Sequence, residues 1–307
     1  MLRRVTGVEN GNSRQDEHLL IGISKEMKRV IVSLFCSVWL AAAYADQPKP
    51  DELWALIAES QIVATGMLEV PVAEIRSRIE SHKPEYVGLI LKNAKALKGS
   101  APSEIPIRWY TDARGYALRP ERIISLNGRN AVLFLIKVDE ESVKGFYFAG
   151  DTPKAIADAD AGFLEKVRAE VSAQEQILKS FDNRFPPANE PLYQKVKDEI
   201  DATTRKSTQM GAFRQLEQLG EKGVPAIIMQ MDDRRDLAIH AISLQNKSPE
   251  AWEACRQYGP VKVVDAMSAI LTQITGLSFG NIDNGGSERE RRATVDGWRV
   301  YLYHLKR

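Results

Sequence analysis

The run Asp232-Asp233-Arg234-Arg235-Asp236 puts carboxylates and guanidiniums side by side on one short stretch of chain. Such a cluster can hold a cation or dock a charged partner. The same composition also suits a solvated turn between two helices. Asp283-Asn284-Gly285-Gly286 offers the carboxylate and carbonyl oxygens that calcium takes. A calcium loop needs about six to eight oxygens and a downstream bidentate acid, and the spacing here is not that of an EF-hand. A glycine-rich loop ahead of a capped helix is the alternative reading. Trp109, Tyr110, Asp112 and Arg114 form an aromatic and charged stretch at a strand end. It suits a sugar or a peptide, or it is the rim of a barrel.

The remaining reactive residues point away from familiar chemistries. Ser207, Ser243 and Ser248 lack a G-x-S-x-G setting. His82, His240 and His304 are far apart and no HExxH or CxxC motif is present, so no zinc site is assigned. His240 lies in the apolar run AIHAI and reads as a core or half-buried histidine. Cys255, between Trp252 and Tyr258, reads as a buried structural thiol. No catalytic, cofactor-binding or metal-ligating residue is therefore assigned, and no cofactor is expected. The candidate surface site consists of Asp232, Asp233, Arg234, Arg235, Trp109 and Tyr110.

The elements that would position these residues divide the chain in two. A helix is expected over Asp51–Glu59, with Leu53, Trp54, Leu56 and Ile57 on one side. Five strand-like runs follow: Gln61–Val70, Tyr86–Leu97, Ile105–Tyr110, Ala131–Val138 and Gly145–Ala149. Val87, Leu89 and Leu91 alternate, whereas AVLFLIKV is nearly all apolar, as in a strand covered on both faces. Gly99, Pro102, Gly115, Pro120, Asn127-Gly128 and Gly150 fall between the runs. Val72–Ser81 has helical spacing and is read as an excursion between strands. The fold class expected is α+β: a small five-stranded β-barrel or sandwich with flanking helices, then an all-α helical domain.

Phe163–Phe181 recurs every three or four positions as an amphipathic helix. FPPANEP (Phe185–Pro191) interrupts it, because proline lacks an amide donor and restrains its predecessor. Beyond it, Gly220 suits a left-handed helix end and Pro225 a first helical turn. Helices are expected over Leu237–Leu244, Ala251–Tyr258, Val261–Thr275 and Glu288–Leu305. VKVVDAMSAILTQITG is the expected central buried helix, and Ser287 with Glu290 the capping box of the last one.

Two resemblances rest on these residues. IVATGMLEV, ALKG (Ala96–Gly99), IPIRW and NGRNAVLFLIKV resemble the netrin-type or OB-like barrels of exported bacterial proteins. Relatives with inhibitory roles use an N-terminal cysteine that this chain lacks there, so that role does not carry over. Leu216, Leu219, Gly220, Val224, Pro225 and Ile227 resemble the L-x-x-L-G-x-x-x-V-P-x-L core of a HEAT-type repeat. The closing stretch LTQITGLSFGN and ERERRATVDGWRVYL resembles the last helices of exported bacterial HEAT-like proteins. These likenesses imply architecture, and stacked repeats would imply extended binding surfaces.

Compartment is read from Met27–Gln47. Lys28 and Arg29 precede an apolar run from Val30 to Ala43, and Ala43-Tyr44-Ala45 is an A-x-A site ahead of Asp46. This is the pattern of a cleaved secretory signal. The run is shorter than the roughly 20 apolar residues of a membrane span. Residues 1–26 are polar and aperiodic, which suggests a misassigned upstream extension. The expected organisation is a signal peptide at 27–45, a barrel-like domain at 46–184, a linker at 185–191 and a helical-repeat domain at 192–307.

The segment 1–45 carries Arg3, Arg4, Arg14, Lys25, Lys28 and Arg29 against Glu9, Asp16, Glu17 and Glu26. Removing it from a chain with 42 basic and 41 acidic residues leaves the remainder within one charge of neutral. That balance gives no electrostatic footprint for nucleic acid or anionic lipid. One cysteine would remain, so no internal disulfide can form and packed cores must hold the fold. The expectation is a periplasmic or secreted, non-enzymatic protein that binds another protein or an envelope component, with no membrane span. An exported hydrolase whose acids (Asp112 or Asp283) converge only in three dimensions is the rival. A purely structural envelope protein is the third reading.

Overall fold

The computed structural model describes residues 53–82, 85–111, 118–138, 144–150, 152–181, 191–245 and 255–305. The linker expected at 185–191 lies almost wholly outside them.

The chain enters through α1 (Leu53–Glu59) and then builds the barrel: β1 (Ile62–Glu69), α2 (Val72–Glu80), β2 (Tyr86–Lys98), β3 (Glu104–Tyr110), α3 (Pro120–Ser125), β4 (Asn130–Val138) and β5 (Gly145–Phe148). The strand order β1-β2-β3-β5-β4 closes because β4 also pairs with β1, from Ile62↔Leu135 to Met67↔Asn130. All these pairings are antiparallel except β3 with β5. A short β6 (Ile156–Asp158) adds to the first half of β4. Val87, Leu89, Leu91, Ile105, Ile107 and Trp109 fill the interior. Ala131–Leu135 is buried throughout, because β4 faces the barrel interior on one side and helices on the other. Phe134 meets Phe163 of α4 (Ala161–Lys179) edge-on at 6.5 Å. Gly66 is needed where β1 crosses β2: a Cβ there would stand 2.5 Å from the Lys92 carbonyl oxygen.

The second half contains α5 (Pro191–Thr203), α6 (Gln209–Gln218), α7 (Val224–Ile228), β7 (Ile242–Gln245), β8 (Cys255–Tyr258), α8 (Val263–Thr275) and α9 (Glu288–Leu305). Gly220 takes the left-handed conformation (φ 57°) and Pro225 sits in the first turn of α7, as their types require. α8 is buried almost all round. Glu290 accepts from the Ser287 amide at 2.7 Å, which caps α9.

One expectation is corrected and another is left without support. The C-terminal part is helical but not all-α: Leu237–Ala241 is irregular, Ile242–Leu244 falls in β7, and Cys255–Tyr258 forms β8 of an antiparallel pair. Ile242, Leu244 and Tyr258 are its buried positions, and their alternation outweighs any helical spacing. Buried Gln209 holds the approach to the hairpin: it donates to the Ile239 carbonyl at 2.5 Å and accepts from the Ile239 amide at 2.8 Å. The HEAT-like reading also lacks support. The segment after Gly220 makes a helix of only five residues, and a hairpin occupies the place of a stacked neighbour.

α1 joins the halves. Leu56 and Ile57 belong to the barrel core, whereas Ala58 belongs to the helical core and Trp54 packs against it. Lys98 of β2 donates to the Ile57 carbonyl at 2.5 Å, placing a cation at the negative end of α1. Burial lowers the Lys98 pKa to about 8, and Asp296 of α9 opposes that shift.

Candidate binding face

The inward alternation of β2 and β3 leaves the complementary residues outside. In register these are Tyr86↔Tyr110, Gly88↔Arg108 and Ile90↔Pro106. Tyr86 and Ile90 are 37% and 36% exposed, which makes them outliers among the large apolar side chains. Gly88 between them has no neighbour within 4 Å of where its Cβ would be, so the face carries a notch there. Across the notch the Arg108 guanidinium lies 4.9 Å from the Tyr86 ring centre and 5.9 Å from that of Tyr147 on β5. Both distances fall in the range of cation–π attraction. Tyr86 packs against Tyr110 at 5.1 Å and edge-on against Tyr147 at 6.1 Å. A side chain at Gly145 would meet the aliphatic stem of Arg108 at 3.1 Å, so its absence lets Arg108 lie flat.

The charges of this patch follow from burial. It raises the hydroxyl pKa of Tyr86 and of Tyr147, and Arg108 opposes the shift at both. The phenols therefore stay neutral donors at physiological pH. Arg108 forms no ion pair with any carboxylate among the described residues. The nearest paired charge on the same strands is Lys92 with Glu69, at 2.6 Å. The face thus sets a guanidinium that has no carboxylate partner among the described residues against three tyrosine rings, of which Tyr86 is exposed and Tyr147 is covered.

The sequence candidates are distributed differently. Tyr110 belongs to this face, while its neighbour Trp109 points inward and is 5% exposed. Asp112 and Arg114 lie outside the described residues, as do Ser248 and the cleavage residues Ala43, Ala45 and Asp46. Each charge of 232–236 meets a partner within the chain. Asp232 pairs with Arg299, Asp233 with Arg235, Arg234 with Glu288 and Asp236 with Lys262. Arg235 also reaches Asp201 of α5 at 2.6 Å. The cluster pins the end of α7 to α5, α8 and α9.

Asp283, within the segment that precedes α9, is half-buried with its Oδ1 enclosed, and Asn284 accepts a hydrogen bond from the Gly259 amide at 2.7 Å. No group of three or more His, Cys, Asp or Glu is placed to hold a metal among the described residues. His240 and Cys255 are both exposed, contrary to the buried positions expected of them. They lie at the edges of the hairpin, where an apolar neighbourhood in sequence does not mean burial in space.

Residues that sequence reasoning passed over carry the strongest electrostatics. Asp265 of α8 is fully buried and takes Arg291 Nε at 2.7 Å and Nη2 at 2.9 Å. It also accepts from the Val261 and Lys262 amides. Hydrogen bonding to Asp265 raises the Arg291 pKa. Glu59 is half-buried at the end of α1, where its Oε1 accepts from the Gly150 amide at 3.0 Å. Burial pushes its carboxyl up to about 7. Tyr86 and Arg108 had one available signal: they stand at the alternate positions of strands whose inward residues were already evident.

No protein-family model, curated protein or solved structure matches this chain. Among the described residues, no helix is long and apolar enough to cross a membrane.

Proposed function

We propose that this is an exported, non-enzymatic binding protein whose barrel takes a carboxylate-bearing saccharide on the outer face of β2 and β3. The observation that carries the reading is Arg108, held over tyrosine rings with no acidic partner among the described residues. Tyrosine faces stack against ring-shaped ligands, and a guanidinium fork takes a carboxylate through two parallel hydrogen bonds. The closed five-stranded barrel, with a helix between β3 and β4, supports the resemblance to OB-type barrels, whose β2–β3 face serves oligonucleotides and oligosaccharides. On this face the cation without a carboxylate partner among the described residues is Arg108, and one such charge on a near-neutral chain favours the saccharide over a polyphosphate. β2 is hydrogen-bonded along both edges, by β1 and β3, so a peptide cannot add to it as a further strand. Export rests on the Met27–Gln47 pattern.

Calorimetric titration of residues 46–307 with uronate-containing and neutral oligosaccharides tests the reading. The acidic ligands are expected to bind, and Arg108→Ala to weaken them at least tenfold, about 1.4 kcal/mol. Tyr86→Ala is expected to weaken binding by a similar factor without loss of fold, because Tyr86 is substantially exposed. Equal affinity for neutral ligands, or none for either class, overturns the saccharide reading. Turnover of the ligand would replace it with the hydrolase.

A further inference from the structure

Residues 276–287 join α8 to α9 and return along both helices. Asp265 near the start of α8 holds Arg291 near the start of α9, so the two helix beginnings meet and the connection has to travel back. Phe279 in this connection packs edge-on against Trp298 at 4.9 Å. A Cβ on Gly297 would approach the Phe279 Cβ to 2.5 Å, so only glycine admits the connection there. At its other end Asn284 is tied to Gly259.

Between these anchors lies Asp283, whose Oδ1 is buried and takes no hydrogen bond. Ser268 Oγ and Thr272 Oγ1, one turn apart on α8, are buried without a partner as well. Buried polar atoms are ordinarily paired, and an unpaired ionised carboxylate is the costliest exception.

We infer that Asp283 is a proton-operated catch: protonated, it stays inserted beside Ser268 and holds 276–287 between α8 and α9; ionised, it draws that segment toward water. Among the described residues, the charges on the neighbouring elements are already engaged with other partners. On α8, Asp265 is already paired with Arg291. On α9, the Arg291 guanidinium is shared between Asp265 and Glu288, and Glu288 also serves Arg234. Glu290 is held by Ser287, and Asn284 carries no charge. Burial pushes the Asp283 carboxyl up to about 7 and Asp265 adds to the shift; the Ser268 hydroxyl is near enough to oppose it, although it completes no hydrogen bond of ordinary geometry with Oδ1.

The sign follows. A carboxyl that holds its proton more tightly inside than outside keeps the segment docked at low pH. Docking weakens as pH rises from the ordinary aspartate value of 3.8 through about 7. Phe279 also lies against Trp54 of α1, at 6.4 Å between rings, so release reaches the helix that joins the two halves.

Hydrogen exchange of wild-type 46–307, corrected for the intrinsic pH dependence of exchange, reads the catch directly. Protection of residues 277–287 is expected to fall at least tenfold between pH 5 and pH 8. Asp283→Asn, neutral and of the same shape, is expected to change less than threefold over that range. Wild-type protection that does not vary with pH overturns the proposal, as does an equal loss in the asparagine variant. Should that variant not fold, NMR titration of the wild-type Asp283 carboxyl carbon decides: a midpoint below about 5 overturns it.

Discussion

Asp265→Ala is expected to destabilise the protein by about 3–5 kcal/mol, because it leaves the Arg291 guanidinium buried without its partner. The side chains of the pair are 0% and 7% exposed, so water cannot replace the lost carboxylate. The substitution also strips acceptors from the Val261 and Lys262 amides at the start of α8. In a protein of this size such a loss lowers the melting temperature by roughly 10 °C. The double substitution Asp265→Leu with Arg291→Met is expected to recover most of that loss, since a buried ion pair and an apolar pair of similar volume are often close in stability. Melting temperatures of the two variants test this. A double variant as unstable as the single would mean that the amide contacts of Asp265, rather than the ion pair, carry the effect.

Glu59→Gln is expected to stabilise the protein at pH 8 by up to about 3 kcal/mol and to leave it nearly unchanged at pH 4. Burial raises the Glu59 carboxyl from 4.5 to about 7. The folded state therefore binds the proton more tightly than the unfolded state does. The cost of ionising Glu59 develops as pH rises from 4.5 through about 7 and is fully present above that range. Glutamine removes the ionisation and keeps an oxygen for the Gly150 amide. Urea unfolding of both proteins at pH 4 and pH 8 isolates the effect, because other titrating groups cancel in the difference. A variant less stable than wild type at both pH values would show that the amide nitrogen is poorly accommodated beside Gly150. A Cβ at Gly150 would lie only 3.1 Å from Glu59 Oε2, a measure of how closely the backbone approaches.

Much of the barrel was legible because its signals are local. Alternation over Val87, Leu89 and Leu91 places those residues inside, and the apolar run at Ala131–Leu135 marks a strand covered on both faces. Gly220, Pro225 and the Ser287–Glu290 cap also act within one turn of themselves, and each took the role its type requires. The hairpin β7–β8 was not legible. Its strands are four residues each, and Leu237, Ile239, Ile242 and Leu244 fit a helical spacing almost as well as an extended one. Only the partner strand, and Gln209 gripping Ile239 from α6, make the extended form the better one.

The candidate sites divide along the same line. Asp232–Asp236 stands out in sequence because its charges are adjacent, yet adjacency does not reveal that Arg299, Glu288, Lys262 and Asp201 stand opposite. Tyr86, Arg108 and Tyr147 are unremarkable until barrel closure brings three strands together.

Taken alone, the amino-acid sequence determined the periods, the turns and caps, the near-neutral charge and the shortage of cysteine. Each of these is a property of single residues or of neighbours within a turn. The closed order of the strands, the burial of Asp265, the desolvation of the Glu59 and Asp283 carboxyls, and the tyrosine–arginine face were decided only by tertiary structure. Those features pair residues far apart along the chain, such as Asp265 with Arg291, and a side chain's solvation depends on what packs over it.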